Sequence, residues 1–412
     1  MKIGIKHLLA TSALAVIVAP MASAQDNPFL RGRYTAVTER QQQEYDPEVI
    51  HAGSFDIISS LTAGIETNDN VFYQPINEQD GLIYRIRPAV EARSNWTVHS
   101  LMAGLVVDHS EYKDFDSETT TDYNAYLRGR LDVVRNFRIN LSVEGGHDTE
   151  QRFEPASQNA PEPAQDDYIG ADISGTYRSD RLQFEAGIGT RENDYQSFFN
   201  YRDVTDTYIR ARASYAVSPD LAVFVQARQT ESSYDLAANR DAKQTSIQAG
   251  VNFELAAPFS GEVSVGSVKN EKDSPTESDT DGLSLNALVQ WFPTELTTVT
   301  FSGSAGINDP GILQSTSAEY RRFSVRADHE LLRNLLLYGQ FGFGDSDYEA
   351  SAAFPGFQRS DETREVRAGV VYKLNKHAHL DLGYRLNSRE TSGTTPQDID
   401  VNVFSASIRL YP

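Results

Sequence analysis

Residues 121–146 read "TDYNAYLRGRLDVVRNFRINLSVEGG" and alternate almost without interruption. Tyr123, Ala125, Leu127, Gly129 and Leu131 fall on one side. Asp122, Asn124, Tyr126, Arg128, Arg130 and Asp132 fall on the other. After a break at residues 134–136 the beat resumes, with Phe137, Ile139, Leu141 and Val143 set against Arg138, Asn140, Ser142 and Glu144. A period of two is that of a β-strand with one apolar and one ionic face. The stretch therefore reads as a hairpin with a tight turn at its break.

The same unit recurs along the chain, for example in "SGTYRSDRLQFEAG" (174–187), "SYAVSPDLAVFVQA" (214–227) and "DHELLRNLLLYGQFG" (328–342). Between these hairpins lie long polar stretches such as "QRFEPASQNAPEPAQDD" (151–167) and "KNEKDSPTESDTD" (269–281). Short turns alternating with long loops describe an up-and-down meander with two unlike ends, as in outer-membrane barrels. The alternating runs number about 18 and are ~10–14 residues long, from near residue 54 to near residue 411. Strands of soluble sandwiches are about half that length, and no amphipathic helix is present to form a second layer. Lipid is thus the expected cover for the apolar faces. Trp96, Phe137, Tyr177, Tyr215, Trp291 and Phe292, gathered beside short turns, suit an interfacial aromatic belt. The expected fold is all-β: a transmembrane, up-and-down antiparallel β-barrel.

The chain opens "MKIGIKHLLATSALAVIVAPMASAQ". Lys2 and Lys6, a short apolar core and Ala22-Ser23-Ala24 fit a secretory signal cleaved after residue 24, in a Gram-negative cell envelope. Residues 25–53 lack alternation and are expected either as a periplasmic segment or as a plug entering the lumen. Residues 54–412 form the expected barrel. A mean hydropathy of −0.46 does not oppose this, since only alternate strand residues need be apolar. The net charge of −21 argues against nucleic acid as a partner. Cysteine is absent.

At this point the chain resembles a family. "IETNDNVF" (65–72), "DGLIYRIRPAVEARSNWTVHSL" (80–101), "DYNAYLRGRLDV" (122–133) and "DHELLRNLLLYG" (328–339) are similar to the outer-membrane family named Putative beta-barrel porin 2. The resemblance covers roughly residues 54–412. It implies an outer-membrane barrel, with some relatives linked to exopolysaccharide export loci, and it brings no catalytic residues. Barrels of this kind usually finish on Phe or Trp, whereas this sequence closes on Tyr411-Pro412. Recognition by the barrel-assembly machinery is therefore expected to use Phe404, Ile408 and Leu410.

The ionic faces set out the candidate site. Arg85, Arg87, Arg93, Arg128, Arg130, Arg138, Arg210, Arg212, Arg228, Arg322, Arg326, Arg367 and Arg385 all oppose apolar rows and are expected to face the lumen. Glu91, Asp132, Asp172, Glu144, Glu185 and Asp381 share those faces. Inside a barrel such groups build either a charged pore or an ion-pair lattice that fills it. Tyr112, Tyr126, Tyr168, Tyr208 and Tyr234 offer aromatic platforms for sugar rings, or else pack in the belt and loops. No histidine set has zinc spacing, and the acidic loops lack the full calcium-ligand pattern. No cofactor, metal or catalytic group is expected. The functional expectation is a channel supporting exopolysaccharide secretion; the alternatives are a diffusion porin for small solutes and a non-conducting structural or adhesive barrel. Expected partners are outer-membrane lipid and lipopolysaccharide, the assembly machinery, polysaccharide and periplasmic export proteins. The long loops, including residues 152–167, are expected to be reachable from outside the cell.

Overall fold

A computed structural model describes residues 32–412 apart from positions 197, 256 and 257. The expected signal segment and residues 25–31 lie outside the described residues. The described chain holds nineteen strands in one antiparallel sheet. A stub, β1 (Ile50–Ala52), folds back at Gly53 onto β2 (Phe55–Asn68). The meander continues through β3 (Gly81–Ser94), β4 (Ser100–Tyr112), β5 (Thr120–Val134), β6 (Phe137–Thr149), β7 (Gln165–Ser179) and β8 (Leu182–Tyr195). It goes on through β9 (Val204–Ser218), β10 (Leu221–Tyr234), β11 (Ala242–Glu254), β12 (Phe259–Lys272), β13 (Thr280–Thr294) and β14 (Thr297–Asn308). The last strands are β15 (Ser315–Leu332), β16 (Leu335–Ala350), β17 (Arg359–Asn375), β18 (Ala378–Gly393) and β19 (Gln397–Leu410).

Each strand pairs with its sequence neighbour, and β19 pairs with β2 from Leu410↔Leu61 to Val403↔Asn68. The sheet therefore closes on itself, and its strand backbones carry no open edge into lipid. Strands β2 to β19 make an eighteen-strand barrel of the expected topology. The strands run from 12 residues in β14 to 18 in β15, longer than expected at the upper end. Pairing in β15–β18 simply continues past the span that lipid requires.

The quoted hairpin holds its expected register. Arg128 faces Ser142, Leu127 faces Val143, and the break falls in a bulge between Asp132 and Val134. Leu127, Leu141, Ile173, Ile188 and Ile209 are exposed on the outer wall. Trp96, Tyr177 and Tyr215 are likewise exposed, each near a short turn. Phe292 is the exception: next to outward Trp291 on its strand, it points inward by parity and stacks on Tyr34 at 5.0 Å.

Candidate functional site: a charged lumen with two covered ends

Strand parity and burial place all thirteen arginines of the expected set on the inner face, with Tyr112, Tyr126, Tyr168, Tyr208 and Tyr234. Most of the arginines are paired. Arg85 meets Glu66 at 2.8 Å and Asp108 at 3.3 Å, and Arg87 reaches Asp108 at 3.9 Å. Arg93 bonds Glu91, and Arg130 meets Asp132 at 3.2 Å. Arg210 is held by Asp172 and Glu185, Arg212 by Glu262, Arg326 by Asp328 and Arg367 by Glu365. Arg138 and Arg385 also have partners. Among the described residues, Arg128, Arg228 and Arg322 have no carboxylate partner.

Those three arginines share another feature. Each guanidinium lies over an inward tyrosine: Arg128 over Tyr126 at 4.7 Å, Arg228 over Tyr208 at 3.8 Å and Arg322 over Tyr320 at 5.1 Å. Each ring also lies against a glycine directly across the ladder. Tyr126 pairs with Gly104, Tyr208 with Gly189 and Tyr320 with Gly306. A Cβ at Gly104 or Gly189 would collide with the ring, so glycine there is what lets the tyrosine pack closely against the wall. The arrangement repeats with Tyr168 between Gly146 and Arg191, Phe224 between Gly250 and Arg212, and Tyr338 between Gly369 and Arg326. Cation–π attraction holds these guanidiniums near the wall.

This alters the part open to the tyrosines. Tyr126, Tyr168 and Tyr208 each carry an arginine over the ring and a glycine beside it, so a sugar stacking on the arginine's side would have to displace that arginine. Tyr234 donates to Asp309 at 2.8 Å and belongs to the loop contacts. Tyr112 is inward at the end of β4, beneath the outer loops. The lumen side still holds accessible polar groups: Arg128 and Asn286 are exposed there, and Arg130 keeps 39% of its side-chain surface.

The long-loop end is roofed from within: part of loop 150–164, expected to be exposed, is buried, including Arg152, Phe153 and Ser157. Loop 69–80 contributes Tyr73 and loop 150–164 contributes Phe153, which meet edge to face at 5.7 Å. Both pack on Ile399, Val401 and Val403, three inward residues of β19. Arg152, 5% exposed, grips the two carboxylate oxygens of Glu118 at 2.8 and 2.7 Å. It also donates to the carbonyls of Ser157, Ala160 and Pro161. Ser157 is fully buried, donates to Glu150 at 3.0 Å and accepts from the Ala164 amide. From the far wall, Arg389 bonds the Phe153 carbonyl and Gln158. A second clamp joins Arg240 of loop 235–241 to Asp309 of loop 309–314. Burial alone would raise the Asp309 carboxyl, yet Arg240, the Gly311 amide and Tyr234 hold it below the ordinary carboxylate range.

The other end carries a collar. From Gly32 to Glu48 the chain follows the inner rim of the short turns. Arg33 bonds Asp220 at 2.6 Å, the Val37 amide donates to Thr298 at 3.0 Å, and Arg40 lies 3.6 Å from Glu330. Lys373 reaches Asp46 at 3.3 Å and Lys376 reaches Glu48 at 2.9 Å. Ala36 and Val37 are buried against the wall. The segment thus lines the mouth from the β9–β10 turn round to β1.

A closed even-stranded barrel with an apolar outer wall, a charged lumen and inward loops is the architecture of a porin. The family model described as "Putative beta-barrel porin 2" matches residues 43–411. The chain belongs to this family. It is an outer-membrane barrel of the porin kind. Among solved structures this porin-family barrel is similar to Pseudomonas aeruginosa OccK2 (OpdF), at 14% identity, with 86% of this chain and 98% of that one covered and a TM-score of 0.48. It is also similar to Pseudomonas aeruginosa OpdL (13%, 87% and 99%, TM-score 0.46) and to a BenF-like porin from Pseudomonas fluorescens Pf-5 (13%, 86% and 99%, TM-score 0.48). No curated protein matches the chain. At such identities the site rests on this barrel's own residues.

Several inner-wall residues of this porin-family barrel escaped the reading of its sequence. Arg191, Arg359, Arg389 and Glu262 sit on inward positions of β8, β17, β18 and β12, and strand parity marks them. The loop residues Arg152, Arg202 and Arg240 carry no such periodic signal.

Proposed function

We propose that this barrel is a diffusion channel of the outer membrane that prefers small acidic, sugar-like solutes, and that it is not an enzyme. The carrying observation is the set of three guanidiniums, on Arg128, Arg228 and Arg322, that lie over tyrosines without an ion-paired carboxylate of their own. Fixed positive charge in a narrow aqueous path raises the local concentration of anions. The paired arginines add rigidity and little net field. The roof of loops 69–80 and 150–164 favours small solutes over a polymer.

A second reading, secretion of an acidic exopolysaccharide, is favoured by the spread of the sandwiches. Six of them are distributed from β4 to β17, more than one small ligand needs and well suited to an extended polyanion. That reading requires the roof to move.

Liposome uptake tests the proposal. Vesicles containing the barrel should admit galacturonate faster than galactose, and Arg128→Glu/Arg228→Glu/Arg322→Glu should abolish or invert that preference. Equal uptake of both solutes by the unaltered barrel would refute it. Uptake of neither, with polysaccharide accumulating in the periplasm when the gene is deleted, would favour secretion.

A further inference from the structure

A barrel closes with a stagger, so its first and last strands overhang each other at opposite ends. Here β19 pairs with β2 only from Leu410↔Leu61 to Val403↔Asn68. Toward the short turns β2 overhangs, and the stub β1 covers part of that edge by pairing with residues 55–57. Toward the long loops β19 overhangs through residues 397–402. These pair with β18, from Thr391↔Gln397 to Leu386↔Asn402. Among the described residues no strand flanks them on the other side.

Loop 69–80 does not fill the vacant place. It turns into the lumen, where Tyr73 packs on Ile399, Val401 and Val403. Its first residue, Asp69, ends the ladder. The Asp69 amide donates to the Asn402 carbonyl at 3.2 Å, and its carboxylate accepts from the backbone and side-chain amides of Asn402, both at 2.7 Å. Those bonds fix the phase of the edge, because successive strand residues direct their N–H and C=O groups to opposite sides. Asn402 directs its pair toward β2, so Asp400 and Asp398 do the same. Among the described residues their N–H and C=O groups have no backbone partner. Both residues are exposed and share the outward parity of Phe404, beyond the apolar band. Across the ladder Asp398 faces Glu390, so the outward surface of this edge is acidic.

We infer that this edge is a docking site for an extended peptide segment of a partner protein, which adds an antiparallel strand beside residues 397–401 and carries Lys or Arg at alternate positions. Free edges invite strand addition, and backbone pairing supplies the affinity while alternate side chains supply the selectivity. The incoming strand continues the line of β2 beyond Asp69. Its basic residues lie opposite Asp398 and Asp400, on the outward face. A second copy of the chain does not suit the edge. Antiparallel pairing of two such edges sets one barrel upside down against the other and brings aspartate opposite aspartate.

Fluorescence anisotropy with the full-length barrel in lipid nanodiscs tests this, using the blocked, labelled peptide Lys-Val-Lys-Val-Lys and its Glu-Val-Glu-Val-Glu counterpart. The Lys peptide should bind and the Glu peptide should not. In the antiparallel arrangement the residues opposite Asp398 and Asp400 direct their own amides at the edge. Methylating the Lys backbone amides should therefore abolish binding, while methylating the Val amides should spare it. Asp400→Pro removes an open-edge donor and no hydrogen bond to β18, and should weaken binding by roughly tenfold. Asp398→Asn/Asp400→Asn keeps the backbone and should weaken it by about fivefold. Absence of binding by the Lys peptide, equal binding by the Glu peptide, or binding that survives methylation of the Lys amides would overturn the inference. So would a dimer of barrels that Asp400→Pro dissolves, since the occupant would then be a second copy. The methylated peptides need no altered barrel, so the test does not depend on how a variant folds.

Discussion

Leu127→Arg and Leu141→Arg should each destabilise the folded barrel by about 2–4 kcal/mol where they lie near the bilayer midplane, and by less toward the interfaces. Both leucines are exposed on the outer wall, at 42% and 45%, and their neighbours across the ladder are outward residues of the same apolar band. A guanidinium there has only hydrocarbon around it or must snorkel. Asn124→Arg, three residues from Leu127 and on the inner face, is the control. It loses one hydrogen bond to Tyr168 but stands beside Asp122 in a wet lumen. Its cost should stay within about 1 kcal/mol. Val370, on the outer wall of β17, should behave like the leucines. Equilibrium folding into lipid vesicles in urea measures all four variants. Equal penalties on the two faces would contradict the assignment of inside and outside.

The second large effect is expected at the roof. Arg152→Ala leaves Glu118, 3% exposed, as a buried charge without its counter-ion, and strips three loop carbonyls of their donor. Breaking a buried pair from one side costs about 3–5 kcal/mol. The strand ladders do not depend on this pair, so the loss should fall on the loops rather than the barrel. A thiol placed by Ser157→Cys should resist labelling in the unaltered background and react once Arg152→Ala is added. Conductance should rise in the same variant. A thiol that labels readily in both backgrounds would show that loop 150–164 does not pack inside the lumen.

The contrast between these two predictions marks what could be read from sequence. A period of two carries face information, so the hairpin at 121–146 already separates Leu127 from Arg128. The same parity places every arginine of the expected set. What covers those faces was less legible. Glycines such as Gly104 and Gly189 give no hint of their tyrosine partners, because that contact depends on register with the adjacent strand. Loop packing has no period at all, so Tyr73, Phe153 and Arg152 looked like ordinary surface residues. One clue was present. In β19 the apolar residues Ile399, Val401 and Val403 fall on odd positions, whereas Phe404, Ala406, Ile408 and Leu410 fall on even ones. A strand that switches its apolar face midway needs cover on the inside, and the roof supplies it. The N-terminal collar is the other case. Residues 32–49 have no alternation, and their place on the rim follows from scattered contacts to Asp220, Thr298, Glu330 and Lys373.

The central claim is an anion-preferring aqueous path through the barrel, and the reversal potential of the unaltered protein in a planar bilayer tests it most directly. With a potassium chloride gradient across the membrane, the expected potential has the sign of chloride preference. A potential of the opposite sign, or a bilayer that stays silent with the barrel inserted, would contradict it.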